Sequence, residues 1–142
     1  MPGRKSRIFI DADAFVALAN PKDSNHKKAL RLSRAIKFQK TEVFVSSFAI
    51  GEAITVISQK IGLNKAFVFG IQAYEGEVII IDANRDQQLK ALKRIPQQTS
   101  KNIRFADFIN MVLMDELKIK IIFSFDKHYQ KSGYELLSDE WK

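Results

Sequence analysis

The stretch Ile8-Phe9-Ile10-Asp11-Ala12-Asp13-Ala14-Phe15 decides how this chain is read. Residues 7–10 read as a short strand, whose apolar run Ile8-Phe9-Ile10 suits burial on both faces, and Asp11 ends it. The small and apolar residues that follow predict a helix through Leu18 or Ala19. A charged side chain placed where an apolar strand meets a helix is costly to bury unless it is paired or bound to a cation.

Working outward, the same alternation recurs. Asn20-Pro21-Lys22-Asp23-Ser24 is a loop, with Asp23 or Ser24 as candidate cap of a helix carrying Ala29, Leu30, Leu32 and Ile36. Val43-Phe44-Val45 reads as a second strand, and Ser46 or Ser47 as the N-cap of the next helix. Gly62 breaks that helix, and Asn64 begins another reaching about Tyr74. Glu77-Val78-Ile79-Ile80-Ile81 is a third strand, followed by a helix from about Asp86 to Arg94 that stops before Pro96. After the polar loop Gln97–Asn102, apolar residues at helical spacing predict a helix from about Ile103 to Leu117. Lys118 or Ile119 through Phe123 is a fourth strand, and Glu135-Leu136-Leu137 a short last one. Strands alternating with helices predict an α/β fold with a mainly parallel sheet covered by helices.

The length of 142 residues fits one domain, 1–142, with a proper core, and 46% apolar residues including 11 phenylalanines exclude a disordered chain. There is no cysteine, hence no disulfide framework, thiolate zinc site or thiol nucleophile. The basic start Met1–Arg7 lacks a signal-peptide core because Asp11 and Asp13 interrupt it, and no apolar run approaches the ~18 residues of a membrane span. These features predict a soluble cytoplasmic protein.

Three further acids share the position of Asp11. Asp126 follows Ile121-Ile122-Phe123-Ser124-Phe125, Glu52 lies among Ile50, Ala53, Ile54 and Ile57, and Asp107 lies near a helix start in Phe105-Ala106-Asp107-Phe108. In an open parallel sheet, ligands bind beyond the carboxyl ends of the strands, where these acids would meet. Taken singly, Asp11, Asp13 or Asp126 reads as an N-cap, and Asp107 as a first-turn acid favoured by the helix dipole. Together they suggest a cation site. Like charges ~4 Å apart repel by roughly 4 kcal/mol at an effective dielectric of 20. Oxygen-only ligands select hard ions such as Mg²⁺ or Mn²⁺. Such an ion can activate water and polarise a phosphoryl oxygen, which suits phosphodiester hydrolysis. Ser124 is placed to orient a carboxylate, and Asp13 either joins the metal shell or caps the following helix.

The formal charge is +7 although the candidate site is acidic. Lys27, Lys28, Arg31, Arg34, Lys37 and Lys40 recur about once per helical turn. Arg85, Lys90, Lys93, Arg94, Lys101 and Arg104 form a second group. Any one of them reads as solvated helix surface, but together they suit a polyanion, with Lys27, Arg31, Arg34, Lys37, Arg104 and Lys127 as candidate RNA contacts. His26 and His128 lack a second histidine at ligand spacing and read as packing, capping or surface residues.

Four segments resemble the PIN-domain family, particularly its VapC toxin ribonucleases: Phe9–Phe15, Val45–Glu52, Arg104–Asp107 and Phe123–Tyr129. Asp23–Ala29 is similar to that family's loop into its second helix. The resemblance implies a three-layer sandwich with a central, mainly parallel sheet flanked by helices. It also implies Asp11, Glu52, Asp107 and Asp126 as metal-binding catalytic acids for Mg²⁺ or Mn²⁺, and RNA as substrate. Ser124 would support the last acid. Asp13 departs from the Ser, Thr or Asn usual there. VapC-like proteins typically form homodimers and pair with a small antitoxin.

Two other readings fit parts of the chain. Ile10-Asp11-Ala12-Asp13 is similar to the DxD motif of haloacid-dehalogenase phosphatases, with Asp11 as nucleophile and Asp13 as acid/base, although Glu52 and Asp107 would then have no role. A non-catalytic PIN-like module that binds RNA or serves assembly, its acids binding metal only weakly, is the other.

Overall fold

The computed structural model describes residues 6–98 and 102–140. In chain order the elements are β1 (Arg7–Ile10), α1 (Ala12–Ala19), α2 (His26–Phe38), β2 (Glu42–Ser46), α3 (Ser47–Lys60), α4 (Leu63–Glu75), β3 (Ile79–Ile81), α5 (Arg85–Arg94), α6 (Phe105–Leu117), β4 (Ile121–Phe123), α7 (His128–Lys131) and β5 (Glu135–Leu136), with a 3₁₀ turn at Ile95–Gln97. Among the described residues the strands form one sheet in the order β3-β2-β1-β4-β5, and every pairing is parallel.

The sheet is buried on both faces, which is why its strands are continuously apolar rather than alternating. Ile8, Ile10, Val45 and Phe123 pack into the core beneath α1 to α4. Phe9 and Ile122 point the other way, into a core with Phe108, Ile109, Val112 and Leu113 of α6 and Ala91 of α5. Three layers result. The central strand β1 pairs Phe9 with both Phe44 and Ile122, so β2 and β4 flank it in register. Their carboxyl ends therefore lie side by side, and the Asp11 amide continues the ladder by donating to the Phe123 carbonyl at 3.1 Å.

Local chemistry sets most boundaries. The Ser46 hydroxyl accepts from the Ala49 amide at 3.1 Å and starts α3. Gly62 has φ +130°, a conformation few L-residues tolerate, and it separates α3 from α4. Asn84 and Gln87 form a reciprocal capping box at the start of α5. Helix α2 begins later than Asp23 or Ser24 would place it. The Asp23 carboxylate instead accepts from the Asn25 amide at 2.8 Å, and that turn postpones the helix to His26.

Two surfaces lie outside the layers. Helix α4 exposes Leu63, Phe67, Ile71 and Tyr74 along one side, with Phe67 69% exposed, while its Ala66 and Ala73 are buried. A groove of about 950 Å³ runs between α1, α2 and the starts of β2 and β3, lined by Phe15, Ile36, Lys37, Glu42, Glu77 and Ile79 among others. None of the four candidate acids lines it. Among the described residues no helix is long and apolar enough to cross a membrane.

Candidate metal centre

The carboxyl edge of the sheet gathers the acids because each follows a strand or opens a helix there. Asp11 leaves β1 and is 4% exposed. Its Oδ1 accepts from the Ala12 amide at 2.7 Å and from Asn110 Nδ2 at 3.1 Å. Its Oδ2 accepts from the Tyr129 hydroxyl at 2.9 Å. Asp107 stands in the first turn of α6, where the free amides favour a carboxylate. It accepts from the Arg104 amide at 2.8 Å through Oδ2 and from Tyr129 at 3.1 Å through Oδ1.

Tyr129 thus stands between two carboxylates while also accepting from Asn110 Nδ2 at 3.0 Å. A phenol has one proton and cannot donate to both acids at once. A proton held by Asp11 closes the network. Burial, then the charges of Asp13 and Asp107, push the Asp11 carboxyl up to about 8. Burial and the charges of Asp11 and Asp107 push the Tyr129 phenol well up, so it stays a neutral donor. Asn110 is satisfied throughout, because its Oδ1 accepts from the Ser46 hydroxyl at 3.0 Å. Ser46 caps α3, so one hydrogen-bonded chain ties β1, α6 and the helix that carries Glu52.

Asp13 does not cap α1. Its Oδ2 accepts from the Phe125 amide at 2.8 Å and the Ser124 hydroxyl at 3.1 Å, fastening the segment after β4 to α1. Burial pushes its carboxyl up to about 6, against those hydrogen bonds and with Asp126 adding to the rise. Ser124 in turn accepts from the Asp126 amide at 3.1 Å, so it touches the Asp126 backbone rather than its carboxylate. Asp126 is half-exposed, and its Oδ1 lies 2.5 Å from His128 Nδ1.

Glu52 joins through a cation. Arg104 Nη1 lies 3.2 Å from Glu52 Oε1. Glu52 holds the Arg104 guanidinium above its ordinary value, with Asp107 and Asp11 contributing. Among the described residues the tightest ligand cluster is Asp107, Asp126 and His128, whose donor atoms lie within 4.8 Å of one another. Glu52 and Asp11 stand outside that trio, reached through Arg104 and Tyr129.

The residues fit a divalent cation. Two buried atoms, Asp13 Oδ1 and His128 Nε2, have no hydrogen-bond partner, and burial raises the carboxyls of Asp11 and Asp13 above their ordinary range, with neighbouring acids adding to the rise. A cation would relieve both conditions.

The basic residues are less uniform. Lys27, Arg34 and Lys127 are exposed, but Arg31 pairs with Asp139 at 3.0 Å. Lys37 lines the groove beside Glu42, at the start of β2 and so away from the acids. In the second group, Lys90 pairs with Asp86 and Glu116, and Arg94 with Asp115. Lys101 lies outside the described residues.

Sequence reasoning missed α7 and the two side chains it brings in. The run Lys127-His128-Tyr129-Gln130-Lys131 is polar enough to read as surface, yet His128 is 8% exposed and Tyr129 is fully buried. Asn110 was legible only as one polar residue inside an apolar helix, a position that calls for buried partners.

A family model described as the PIN domain matches residues 8–133. No curated protein sequence matches the chain. Among solved structures it is similar to the sarcin–ricin loop-cleaving toxin VapC20 of Mycobacterium tuberculosis. The TM-score is 0.80 at 21% identity, covering 89% of this chain and 95% of that one. It is also similar to VapBC2 of Rickettsia felis bound to a promoter DNA fragment, at TM-score 0.63 and 10% identity over 92% of this chain and 97% of that one. FitAcB of Neisseria gonorrhoeae gives TM-score 0.62 at 11% identity, over 92% and 96% of the two chains. At these identities the likeness is one of fold.

Proposed function

This chain belongs to the PIN-domain family, and from that membership we propose that it is a divalent-metal-dependent endoribonuclease, the toxin of a toxin–antitoxin pair. The observation that carries the reading is the Tyr129 bridge between Asp11 and Asp107 at the sheet's carboxyl edge, with Asp126 and Glu52 on adjoining elements. Asp11, Glu52, Asp107 and Asp126 would hold Mg²⁺ or Mn²⁺. Such an ion supplies Lewis acidity at a phosphoryl oxygen and a nucleophilic water at neutral pH.

The chain's own residues do the remaining work. Tyr129 and Asn110 fix Asp11 and Asp107 by hydrogen bonds, so the two acids need no reorganisation when a substrate arrives. Asp13 and Ser124 anchor the Asp126 segment against α1. Arg104, 64% exposed beside Glu52, is placed to take a phosphate oxygen of the RNA backbone. Exposed Lys127 stands next to Asp126, and Lys27 and Arg34 add positive field along α2.

The partners follow from the same reading. VapC20 cleaves the sarcin–ricin loop and VapBC2 was solved with promoter DNA, which supports RNA as substrate and a small antitoxin as partner. The apolar side of α4 supports a homodimer, since single-copy exposure of Phe67 and Leu63 leaves large apolar area in water. We place the protein in the cytoplasm as a single domain. The phosphatase alternative is less favoured, because it gives no task to Asp107, which Tyr129 links to Asp11, or to Glu52, which pairs with Arg104.

The test is single substitution of the quartet. Asp11→Asn, Glu52→Gln, Asp107→Asn and Asp126→Asn should each abolish RNA cleavage in a folded protein. Full activity in folded Asp107→Asn would sink the assignment.

A further inference from the structure

The nuclease reading gives His128 no task, yet its ring is wedged between two of the acids. Nδ1 lies 2.5 Å from Asp126 Oδ1, a separation at which a proton must sit between the two atoms. Nε2 comes within 3.2 Å of Asp107 Oδ2 without forming a hydrogen bond. The ring is nine-tenths buried, so water does not satisfy that nitrogen. A cationic clamp between two carboxylates would aim both N–H groups at oxygens, and only one contact is made that way.

This is the arrangement of a metal-ligating histidine. Such residues donate one ring N–H to a carboxylate, which fixes the tautomer and leaves the other nitrogen's lone pair for the ion. The donor atoms of Asp107, Asp126 and His128 lie within 4.8 Å of one another. Opposed donors around an ion with bonds of ~2.1 Å are ~4.2 Å apart. Neighbouring donors around such an ion are ~3.0 Å apart, and His128 Nε2 and Asp107 Oδ2 stand 3.2 Å apart.

We propose that His128 ligates the metal through Nε2 beside Asp107, with Asp126 holding the ring from its other side, and that it biases the centre towards a first-row transition ion such as Mn²⁺ over Mg²⁺. The inference rests on the metal-nuclease reading and deepens it. Imidazole binds transition ions well and Mg²⁺ poorly, whereas an all-carboxylate centre accommodates Mg²⁺ readily. Asp126 then orients the ring through Nδ1 from outside the coordination shell of that ion.

The test is pulsed EPR of the full chain loaded with MnCl₂ alone, with Mn²⁺ and Mg²⁺ affinities measured calorimetrically. Wild type should show a directly coordinated ¹⁴N. The other histidine, His26, contacts the Ala17 carbonyl near the end of α1 remote from Asp11, and a His26→Gln variant should keep the signal. His128→Asn keeps a donor near Nδ1 and deletes Nε2. It should lose the nitrogen signal, weaken Mn²⁺ on the order of tenfold or more, and leave Mg²⁺ less affected. Mn²⁺ bound by wild type without nitrogen coupling overturns the His128 assignment while the carboxylate centre stands. No Mn²⁺ bound by wild type overturns both. Because the decisive spectrum is that of wild type, a poorly folding variant does not decide the matter.

Discussion

In metal-free protein, raising the pH from 6 to 8 should destabilise the fold, and Asp11 should be the reason. Its carboxyl rises from 3.8 in the unfolded reference to about 8 in the fold. Between those values the folded chain keeps a proton that the unfolded chain has lost. Stability is therefore greatest at low pH and falls as pH rises, levelling off above 8. One such proton costs up to ~1.4 kcal/mol per pH unit, hence up to ~3 kcal/mol between pH 6 and 8. For a chain of this length that is roughly 6–12 °C in Tm. Asp13, raised to about 6, steepens the loss below that window. The assay is thermal melting in EDTA at pH 6 and 8, for wild type and Asp11→Asn. The variant retains both histidines, so their contributions cancel in the comparison. Its Tm should change much less over the same interval, and added Mn²⁺ should stabilise wild type more at pH 8 than at pH 6. A wild-type Tm that holds or rises in EDTA, or an equal fall in Asp11→Asn, would refute the reasoning.

Three further outcomes follow. Tyr129→Phe keeps the ring in its buried site and removes the hydroxyl shared by Asp11 and Asp107; it should lower stability by ~1–3 kcal/mol in urea titrations and weaken Mn²⁺ binding measured by calorimetry, and unchanged metal affinity would deny the bridge a positioning role. Arg104→Ala should weaken RNA binding across sequences and reduce the slope of log K against log salt by about one, whereas an unaltered slope would mean Arg104 meets no phosphate. Phe67→Glu should convert the proposed homodimer to monomer in light scattering without unfolding it, and a variant that remains dimeric would move the interface off α4.

The layered fold was legible because buried parallel strands leave an unusual mark, the uninterrupted runs Ile8–Ile10 and Ile121–Phe123. The caps at Ser46 and the break at Gly62 were legible for the same reason, since each requires a particular residue chemistry. The acids could be placed at the sheet's edge, but not their partners. Tyr129 and His128 sit in a polar four-residue helix whose burial comes from α6 and β4 packing over it, a long-range effect with no local periodicity. The cations were also out of reach. Whether Arg31, Lys90 or Arg94 is free depends on acids far along the chain, and the structure pairs all three. Sequence spacing marked a continuous basic stripe on α2, whereas the helix's length carries Lys37 to the opposite edge of the sheet from the acids.

The central claim is that the acids at the carboxyl edge drive metal-dependent RNA cleavage. Its most direct test incubates a mixed RNA pool with the protein in Mn²⁺, Mg²⁺ or EDTA, beside a folded Asp11→Asn variant. The account predicts internal cuts with metal, none with EDTA and none with the variant. Cuts that persist in EDTA or in Asp11→Asn, or no cuts from well-folded, metal-loaded protein on an RNA it binds, would contradict it.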